Sequence, residues 1–473
     1  MIRLPPPQTL APETQFALAL LVDHARLLPA SGGEAIGIDV LPAAREADRL
    51  DPATQLVTRE GLVRVDEGAL RLITRVAGVA DEQRSNRADR FGRVPPEDNY
   101  LVARRMERDP IVSRFAVALR SAVIAAAGRH RVVLVAPWPE GRRWAMAMTH
   151  DLDVVALWPA FTALRAAELA GKGRIADVVT LAGAAVRGSL GDPVWSAARG
   201  VLDTERRAGI RSSWFVITGT PTVETMRAGD ITYAAESPGA RRIVEAVLAA
   251  GHEVGLHGSF ETWTHADRFT AQRERLTRIT ARPVRGVRQH FLRMRPGTTH
   301  AAMHAAGFQY DSTCGFADRN GFRAGLADVH PAWQDAARQP VPLDVIPFVW
   351  MDRALSKYRG IEDPTAWVDD ALSLARTCRE VEGLWDGIWH PNLSAALGFP
   401  GAERAFEQLC ARLMADAPWS ATLGEVADWR RARRSLAAAG VEPDGRVRVT
   451  GTVAPQGIAL EDGAGRPVAH AVA

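Results

Sequence analysis

Residues 145–153 read AMAMTHDLD, an apolar run that ends in a cluster of polar side chains. An apolar run this short, bounded by polar residues, is typical of a buried strand. Comparable runs, several of them separated by segments of helical periodicity, recur at 212–218, 252–257, 284–290, 308–313, 343–350 and 383–390. This alternation predicts an α/β domain, built either as a barrel of parallel strands or as an open parallel sheet. In both architectures functional groups gather at the carboxyl ends of the strands.

The regions on either side of this repeating unit have different patterns. Before it lies a mixed α/β pattern, with helical spacing at 16–28 and an alternating stretch at 62–76 that predicts a hairpin turning at 66–68. After it, residues 422–440 predict an amphipathic helix that is followed by a small strand pair. The predicted parts are a supporting domain over 1–140, a barrel over 141–435 and a short β extension with a tail over 436–473.

Composition excludes several classes of protein. The chain has 473 residues, and 58 Lys+Arg against 55 Asp+Glu leave a net charge of +3, which argues against a general nucleic-acid binder. The three cysteines form no CxxC pair, so neither a disulfide framework nor a zinc ribbon is predicted. No apolar run approaches the roughly 20 residues of a membrane span, and the start lacks the pattern of a signal peptide. We therefore expect a protein of the cytoplasm.

Asp151 and Asp153 are the first candidates for chemistry. They stand at i and i+2 at the end of an apolar strand, so both carboxylates can face the same way. Two carboxylates this close repel unless a metal or a shared proton neutralises one of them. One as a metal ligand and the other as a general base is a sensible division. The alternative is a pair of turn or helix-capping aspartates.

Histidines end two further strands. His257 closes HEVGLH and His390 closes GLWDGIWH. Neutral imidazole is a good ligand for a divalent transition metal, and a strand-end histidine can also serve as a general acid. Glu261 follows His257 by four residues and can point the same way if a helix begins there. Each histidine alone also fits a hydrogen-bonded scaffold role.

Two more strand ends carry paired polar residues. Arg288 and His290 end VRGVRQH, while Asp311 and Ser312 end FQYDST. A pair between Arg288 and Asp311 would orient a catalytic carboxylate or bind substrate, unless it is an ordinary ion pair. A separate histidine pair, at 300 and 304, has metal-binding spacing but no third ligand at a strand end, so we expect it to be structural.

The order of these motifs resembles that of the polysaccharide deacetylase (NodB-homology) superfamily, carbohydrate esterase family 4. That superfamily has five short motifs on a distorted (β/α) barrel, which becomes the expected fold class here, with a smaller mixed α/β N-terminal domain. The matching residues, motif by motif, are Thr149–Asp153, His257, Arg288, the region of Asp311, and His390. The resemblance implies that Asp151 is the base, Asp153 a metal ligand and His390 the general acid. It is strongest to a bacterial subgroup associated with surface-polysaccharide and lipopolysaccharide biosynthesis, whose N-terminal domain carries a segment like DRFGRVP, which begins here at Asp89.

One position departs from the pattern of the superfamily. Typical members have a second histidine four residues after the first, and this chain has Glu261 there. The third metal ligand is then Glu261, His290 or water. The implied cofactor is one divalent metal per chain, zinc by preference, although a glutamate would favour harder cations.

The function implied is metal-assisted removal of an N-acetyl group from a sugar in a surface glycan or its precursor. Asp151, oriented by Arg288, would act as the base and His390 as the acid, while Trp389 and Ser312 are expected substrate contacts. Two alternatives stay open. One is a carbon–nitrogen hydrolase acting on a non-sugar amide, and the other is an inactive glycan-binding protein that has lost activity with the missing histidine.

Overall fold

The computed structural model describes residues 1–30, 35–128, 132–155, 159–187, 192–442, 444, 446–451 and 457–472. The elements of its first part are β1 (Ile2–Arg3), α1 (Pro12–His24), β2 (Ile36–Leu41), α2 (Pro52–Gln55), β3 (Leu56–Arg59), β4 (Leu62–Asp66), α3 (Glu67–Ala77), α4 (Ala80–Arg84), α5 (Ile111–Ala126) and β5 (Val133–Val135). Four of these strands form a sheet in the order β1-β2-β4-β3. Helix α5 packs on β3 and β4, and α1 packs across α3 and α5.

The hairpin predicted over 62–76 is wrong. Only Leu62–Asp66 is a strand, and its antiparallel partner is β3, which precedes it. The side chain of Asp66 accepts a hydrogen bond from the backbone amide of Ala69 at 2.8 Å. Asp66 therefore caps the N-terminus of α3 instead of opening a turn, because its oxygen satisfies an amide that the first turn leaves free.

The central part contains the elements of the predicted barrel. They are β6 (Ala145–Leu152), α6 (Pro159–Gly171), α7 (Ile175–Arg187), α8 (Pro193–Ala208), β7 (Ser212–Ile217), α9 (Val223–Ala228), α10 (Pro238–Ala249), β8 (Glu253–Gly258), α11 (Ala266–Thr280), β9 (Gly286–Gln289), α12 (Thr298–Ala305), β10 (Tyr310–Asp311), β11 (His330–Gln334), β12 (Gln339–Val345), β13 (Trp350–Met351), α13 (Pro364–Glu380), β14 (Leu384–Ile388), α14 (Ala402–Ala415), β15 (Trp419–Ser420) and α15 (Leu423–Arg434).

These strands form one ten-stranded sheet in the order β11-β12-β10-β9-β8-β7-β6-β14-β13, with β15 pairing β6. All neighbouring pairs among them are parallel except β11 with β12. Every residue of β6 is buried, as expected for a parallel strand that helices cover on its outer face. Among the described residues β11 and β13 end this strand order, and β15 pairs with β6 alone. The expected α/β fold with a distorted barrel is confirmed.

The C-terminal strands begin earlier than the helical pattern of residues 422–440 predicts. Helix α15 ends at Arg434, and the alanines that follow belong to a strand instead of the helix predicted to run to residue 440. The strands are β16 (Ala437–Val441), β17 (Val447–Thr450), β18 (Leu460–Asp462), β19 (Pro467–Val468) and β20 (His470–Val472). Strand β18 pairs with β5 of the first part, and the domain boundaries at 140 and 435 stay predictions. Within the described residues, each helix is too short or too polar to cross a bilayer.

Candidate active site and metal centre

The carboxyl ends of the parallel strands bring most of the predicted polar residues together. Asp151 lies near the end of β6, and Asp153 follows that strand directly. His257 lies near the end of β8, His290 follows β9, and His390 follows β14 by two residues. The strands β9, β8, β7, β6 and β14 are consecutive neighbours in the sheet. Their carboxyl ends therefore lie side by side and bring these polar side chains together.

Asp153, His257 and His290 form a cluster with the donors of a metal site. Their ligand atoms all lie within 4.8 Å of one another. The Nε2 atoms of His257 and His290 lie 3.4 and 3.5 Å from Oδ1 of Asp153. That oxygen is buried and accepts no hydrogen bond from the described residues. A buried carboxylate oxygen facing two imidazoles fits a divalent cation, since it otherwise lacks a partner.

Hydrogen bonds on the far side of each ring orient the two imidazoles. Nδ1 of His257 donates to the backbone carbonyl of Arg288 at 2.9 Å. Nδ1 of His290 lies 2.6 Å from Oδ1 of Asp230, a fully buried carboxylate that also accepts from the amide of Phe260. These contacts favour the tautomers in which Nδ1 carries the proton, so that the lone pair of each Nε2 is free on the side of Asp153. This is the usual arrangement around metal-binding histidines.

The backbone after His290 is strained. Phe291 and Leu292 have φ angles of 58° and 55°, in the left-handed region that non-glycine residues rarely adopt. The turn places the Phe291 ring over the His290 ring, with centroids 4.1 Å apart, and the Phe91 ring stacks on Phe291 at 4.8 Å. Backbone strain of this kind persists only where surrounding contacts hold it. Here the stacked rings of Phe91 and Phe291 hold the turn, and the Phe291 ring packs on the His290 ring.

Arg288 fixes Asp151 beside the metal cluster. Its Nη1 donates to Oδ1 of Asp151 at 2.9 Å, while Oδ2 of Asp151 lies 3.8 Å from Nε2 of His257. Burial alone would raise the pKa of Asp151, but Arg288, His257 and His390 outweigh it and hold that pKa below its ordinary value. Asp151 is therefore an ionised acceptor at neutral pH.

A second buried carboxylate, Asp386, shares Arg288 with Asp151. It lies inside β14, where its oxygens accept from Thr149 Oγ1 at 3.1 Å and from Ser312 Oγ at 2.9 Å. Nη2 of Arg288 lies 3.5 Å from Oδ2 of Asp386. Burial raises the pKa of Asp386 to about 6 even though Arg288 lowers it. The sequence prediction missed this residue, although an acidic side chain within an apolar strand is a usable signal.

His390 lies on the other side of Asp153, with Nε2 3.6 Å from Oδ2 of that residue. Its Nδ1 lies 2.7 Å from Oδ1 of Asp352, and its backbone amide donates to the other oxygen of Asp352 at 2.6 Å. Burial lowers the pKa of His390, but Asp352 outweighs it, so the net shift is upward. The sequence prediction did not find Asp352, which follows the short strand β13.

Glu261 lies outside the cluster. Its carboxylate accepts a hydrogen bond from Thr222 and lies 3.4 Å from the guanidinium of Arg268. Of the three possibilities for the third ligand, the structure brings His290 to Asp153 and His257 and leaves Glu261 with other partners.

Asp311 does not pair with Arg288, so that expectation is corrected. Its Oδ1 accepts from the amide of Thr313 at 3.0 Å, and its Oδ2 lies 3.4 Å from Nε2 of His300. Strand β10 is only two residues long, and the Arg288 side chain instead passes to Asp151 and Asp386. Ser312 is fully buried and donates to Asp386, so it supports the site from beneath and offers no substrate contact.

Trp389 also differs from the prediction. Its ring is 1% exposed and packs on Trp350 and Phe406, with centroid distances of 6.1 and 5.0 Å. A ring buried to this extent has no free face on which a sugar can stack. The histidines at 300 and 304 lie on α12, with His300 buried against Asp311 and His304 exposed, as expected for a structural pair.

This chain is similar to several proteins of known structure. No family model and no curated protein matches the chain. A Mycobacterium smegmatis protein described as a polysaccharide deacetylase is 20% identical, with a TM-score of 0.43 over 62% of this chain and 92% of that one. The carbohydrate esterase family 4 domain of a multidomain xylanase from the hindgut metagenome of Trinervitermes trinervoides is 12% identical, with a TM-score of 0.32 over 63% and 93%.

A family 4 pseudoenzyme from Bacillus anthracis is also similar. It is 9% identical, with a TM-score of 0.27 over 60% of this chain and 65% of that one. These similarities concern the fold alone.

Proposed function

We propose that this chain is a metal-dependent carbohydrate N-deacetylase of the NodB-homology type. The observation that carries the proposal is the arrangement around Asp153. The Arg288-bound carboxylate of Asp151 lies beside the cluster, and the Asp352-bound imidazole of His390 faces the other oxygen of Asp153. A base and an acid on either side of a metal site are what hydrolysis of an amide requires.

Asp153, His257 and His290 would hold the cation. One carboxylate oxygen and two imidazole nitrogens are a donor set that zinc accepts in catalytic sites, with a position left for water or substrate. When bound, the cation supplies a Lewis acid that polarises the acetyl carbonyl. His290 supplies the donor that the superfamily usually draws from the position of Glu261, so the departure there does not remove the site.

Asp151 is the proposed general base. With Oδ1 bonded to Arg288, its Oδ2 is the oxygen that takes the proton of the attacking water. Its lowered pKa keeps it ionised, and Arg288 keeps it in place. Arg288 is itself held by the backbone carbonyl and hydroxyl of Ser312, at 2.9 and 2.8 Å.

His390 is the proposed general acid. Asp352 accepts from its Nδ1, which leaves Nε2 as the atom that gives its proton to the departing amine. The products are acetate and a free amino sugar. The sugar, a link to lipopolysaccharide precursors and a cytoplasmic location stay predictions.

Asp151→Asn tests the assignment. We expect acetate release from N-acetylated mono- and oligosaccharides to fall at least about 100-fold, because the amide cannot take the proton. Metal content by elemental analysis should stay at the wild-type value. His304→Ala, which removes an exposed histidine outside the cluster and the cavity, is the matched control and should keep full activity.

Each other outcome points to a different role. Loss of metal in Asp151→Asn would mean that the roles of Asp151 and Asp153 are exchanged. No acetate from any saccharide, beside turnover of a simple amide, would favour a non-sugar hydrolase. Tight saccharide binding without metal or turnover would favour an inactive glycan-binding protein.

A further inference from the structure

The pocket above the candidate metal centre has a basic rim. Arg93, Arg353 and Lys357 line the same cavity as Asp151, Asp153, His257, His290 and His390. The rim thus combines one residue from the N-terminal part with two from the segment after β13. This segment includes a π-helix, Ala354–Tyr358, a rare form of backbone that occurs frequently at functional sites.

Two of the three cations lack a carboxylate partner. Within the described residues, neither Arg353 nor Lys357 forms an ion pair within 4.0 Å or a side-chain hydrogen bond; Arg353 is half-buried and Lys357 is exposed. Of the neighbouring carboxylates, Asp151 binds Arg288, Asp352 binds His390, and Asp153 faces the imidazoles of the candidate metal centre. The Arg353 guanidinium lies over the Phe399 ring at 5.2 Å but has no paired carboxylate among the described residues, so a ligand can supply the counter-charge.

Arg93 closes the rim from the N-terminal side. Its guanidinium pairs with Asp89 at 2.7 Å, and Nη1 donates to the backbone carbonyl of Phe291 at 3.3 Å and to the hydroxyl of Tyr358 at 3.1 Å. Asp89 also accepts from the backbone amides of Phe91 and Arg93, which shapes the DRFGRVP loop. Through Arg93, this loop contacts both the strained turn beside His290 and the π-helix that carries Lys357.

We propose that Arg353 and Lys357 form an anion subsite, and that the substrate is an acetylated saccharide carrying a phosphate or carboxylate group. The inference rests on the proposed deacetylase function and narrows its substrate class. Arginine binds such groups through two parallel hydrogen bonds, and lysine adds a point charge. The DRFGRVP loop, through Arg93 and Tyr358, positions the π-helix so that both cations face the cavity.

The test compares three probes that share one acetylated sugar: N-acetylglucosamine 1-phosphate, N-acetylmuramic acid and neutral N-acetylglucosamine. We expect kcat/KM for acetate release to be at least about tenfold higher for an anionic probe than for the neutral one. Whichever of the two anionic probes is preferred identifies the group as phosphate or carboxylate. In Arg353→Gln and Lys357→Gln the ratio of kcat/KM for the anionic probe to kcat/KM for the neutral probe should fall toward one, mainly because KM for the anionic probe rises.

Arg359→Gln is the matched control, since Arg359 is exposed at the end of the same π-helix and does not line the cavity. It should keep the wild-type ratio. Lys357→Gln changes an exposed side chain and keeps the test valid if Arg353→Gln folds poorly. Equal kcat/KM for all three probes in wild type, or an unchanged ratio in both variants, would overturn the subsite.

Failure of the proposed function gives a different result. If no probe releases acetate, calorimetric binding of N-acetylglucosamine 1-phosphate and N-acetylmuramic acid still reports on the subsite. Binding that both variants weaken about tenfold would support the anion subsite in a protein that is not a deacetylase. Binding of equal strength in wild type and both variants would overturn it.

Discussion

We propose His290, and not Glu261, as the third donor of the candidate metal site, and mutation can separate the roles of the two residues. His290→Ala removes an imidazole whose Nε2 lies 3.5 Å from Asp153, so we expect metal affinity to fall about 100-fold or more. Elemental analysis should then give the low value also expected of His257→Ala. Glu261→Ala should keep about one metal per chain, because its partners are Thr222 and Arg268. Metal loss in Glu261→Ala with retention in His290→Ala would reverse the assignment.

The residues predicted from sequence are those at strand ends, and the residues missed are those that support them. Asp151, Asp153, His257 and His390 stand where a parallel sheet gathers functional groups, and that position is readable from an apolar run. Asp230 and Asp352 orient histidines 60 and 38 residues away in sequence, so their roles depend on packing. Asp311 shows the limit of this reasoning: it lies at a strand end, yet its side chain turns away from Arg288.

At the scale of the element, β9 depends on close packing against the next strand. A Cβ at Gly286 would lie 1.9 Å from the ring of Tyr310, which is fully buried with its hydroxyl bonded to Glu253 at 2.9 Å. We expect Gly286→Ala to lower the free energy of unfolding by about 1–3 kcal/mol through overpacking. Metal affinity should fall as well, because β9 carries Arg288 and leads into His290. Thermal unfolding and metal titration measure the two effects.

The control for that substitution is Gly200→Ala on α8. A Cβ at Gly200 meets no atom within 4 Å, and alanine is the better helix former, so stability should rise by up to about 1 kcal/mol. A melting temperature for Gly286→Ala at or above wild type would show that Tyr310 can move and that β9 is more tolerant than its packing indicates.

Element boundaries were harder to predict from sequence than element types. Helix α5 begins at Ile111, directly after Pro110, and proline is a residue that fits the beginning of a helix. Residues 62–76 and 422–440 each contain one strand and one helix, although the sequence pattern of each stretch predicts a single kind of element. At Asp66 the deciding factor is a hydrogen bond to the next helix, which the alternation of the preceding strand does not reveal.

At the scale of the whole molecule, an ion cluster ties the N-terminal part to the end of the barrel. Asp23 on α1 lies 2.8 Å from Arg430 and 3.2 Å from Arg433, both on α15. Arg430 also lies 3.2 Å from Asp328, and Arg433 donates to the carbonyl of Pro137 at 3.0 Å. All of these groups are largely buried, so removing Asp23 leaves the Arg433 guanidinium without a paired carboxylate in the described part of the chain, while Arg430 keeps Asp328.

Asp23→Asn should weaken that tie in a pH-dependent way. Burial raises the pKa of Asp23, but Arg430 and Arg433 outweigh it and bring it from 3.8 to about 2. A carboxyl whose pKa falls on folding stabilises the folded state above its unfolded pKa, and this contribution is lost as the pH falls through its folded pKa. We expect Asp23→Asn to lower the free energy of unfolding by about 2 kcal/mol at pH 7, measured by urea denaturation. The difference in free energy of unfolding from wild type should narrow as the pH falls from about 4 toward 2.

The control is Asp39→Asn, which removes an exposed carboxylate 3.9 Å from Arg64. It should change the free energy of unfolding by less than about 1 kcal/mol. Equal stability of Asp23→Asn and wild type at pH 7 would mean that the Asp23 cluster does not stabilise the contact between the two parts.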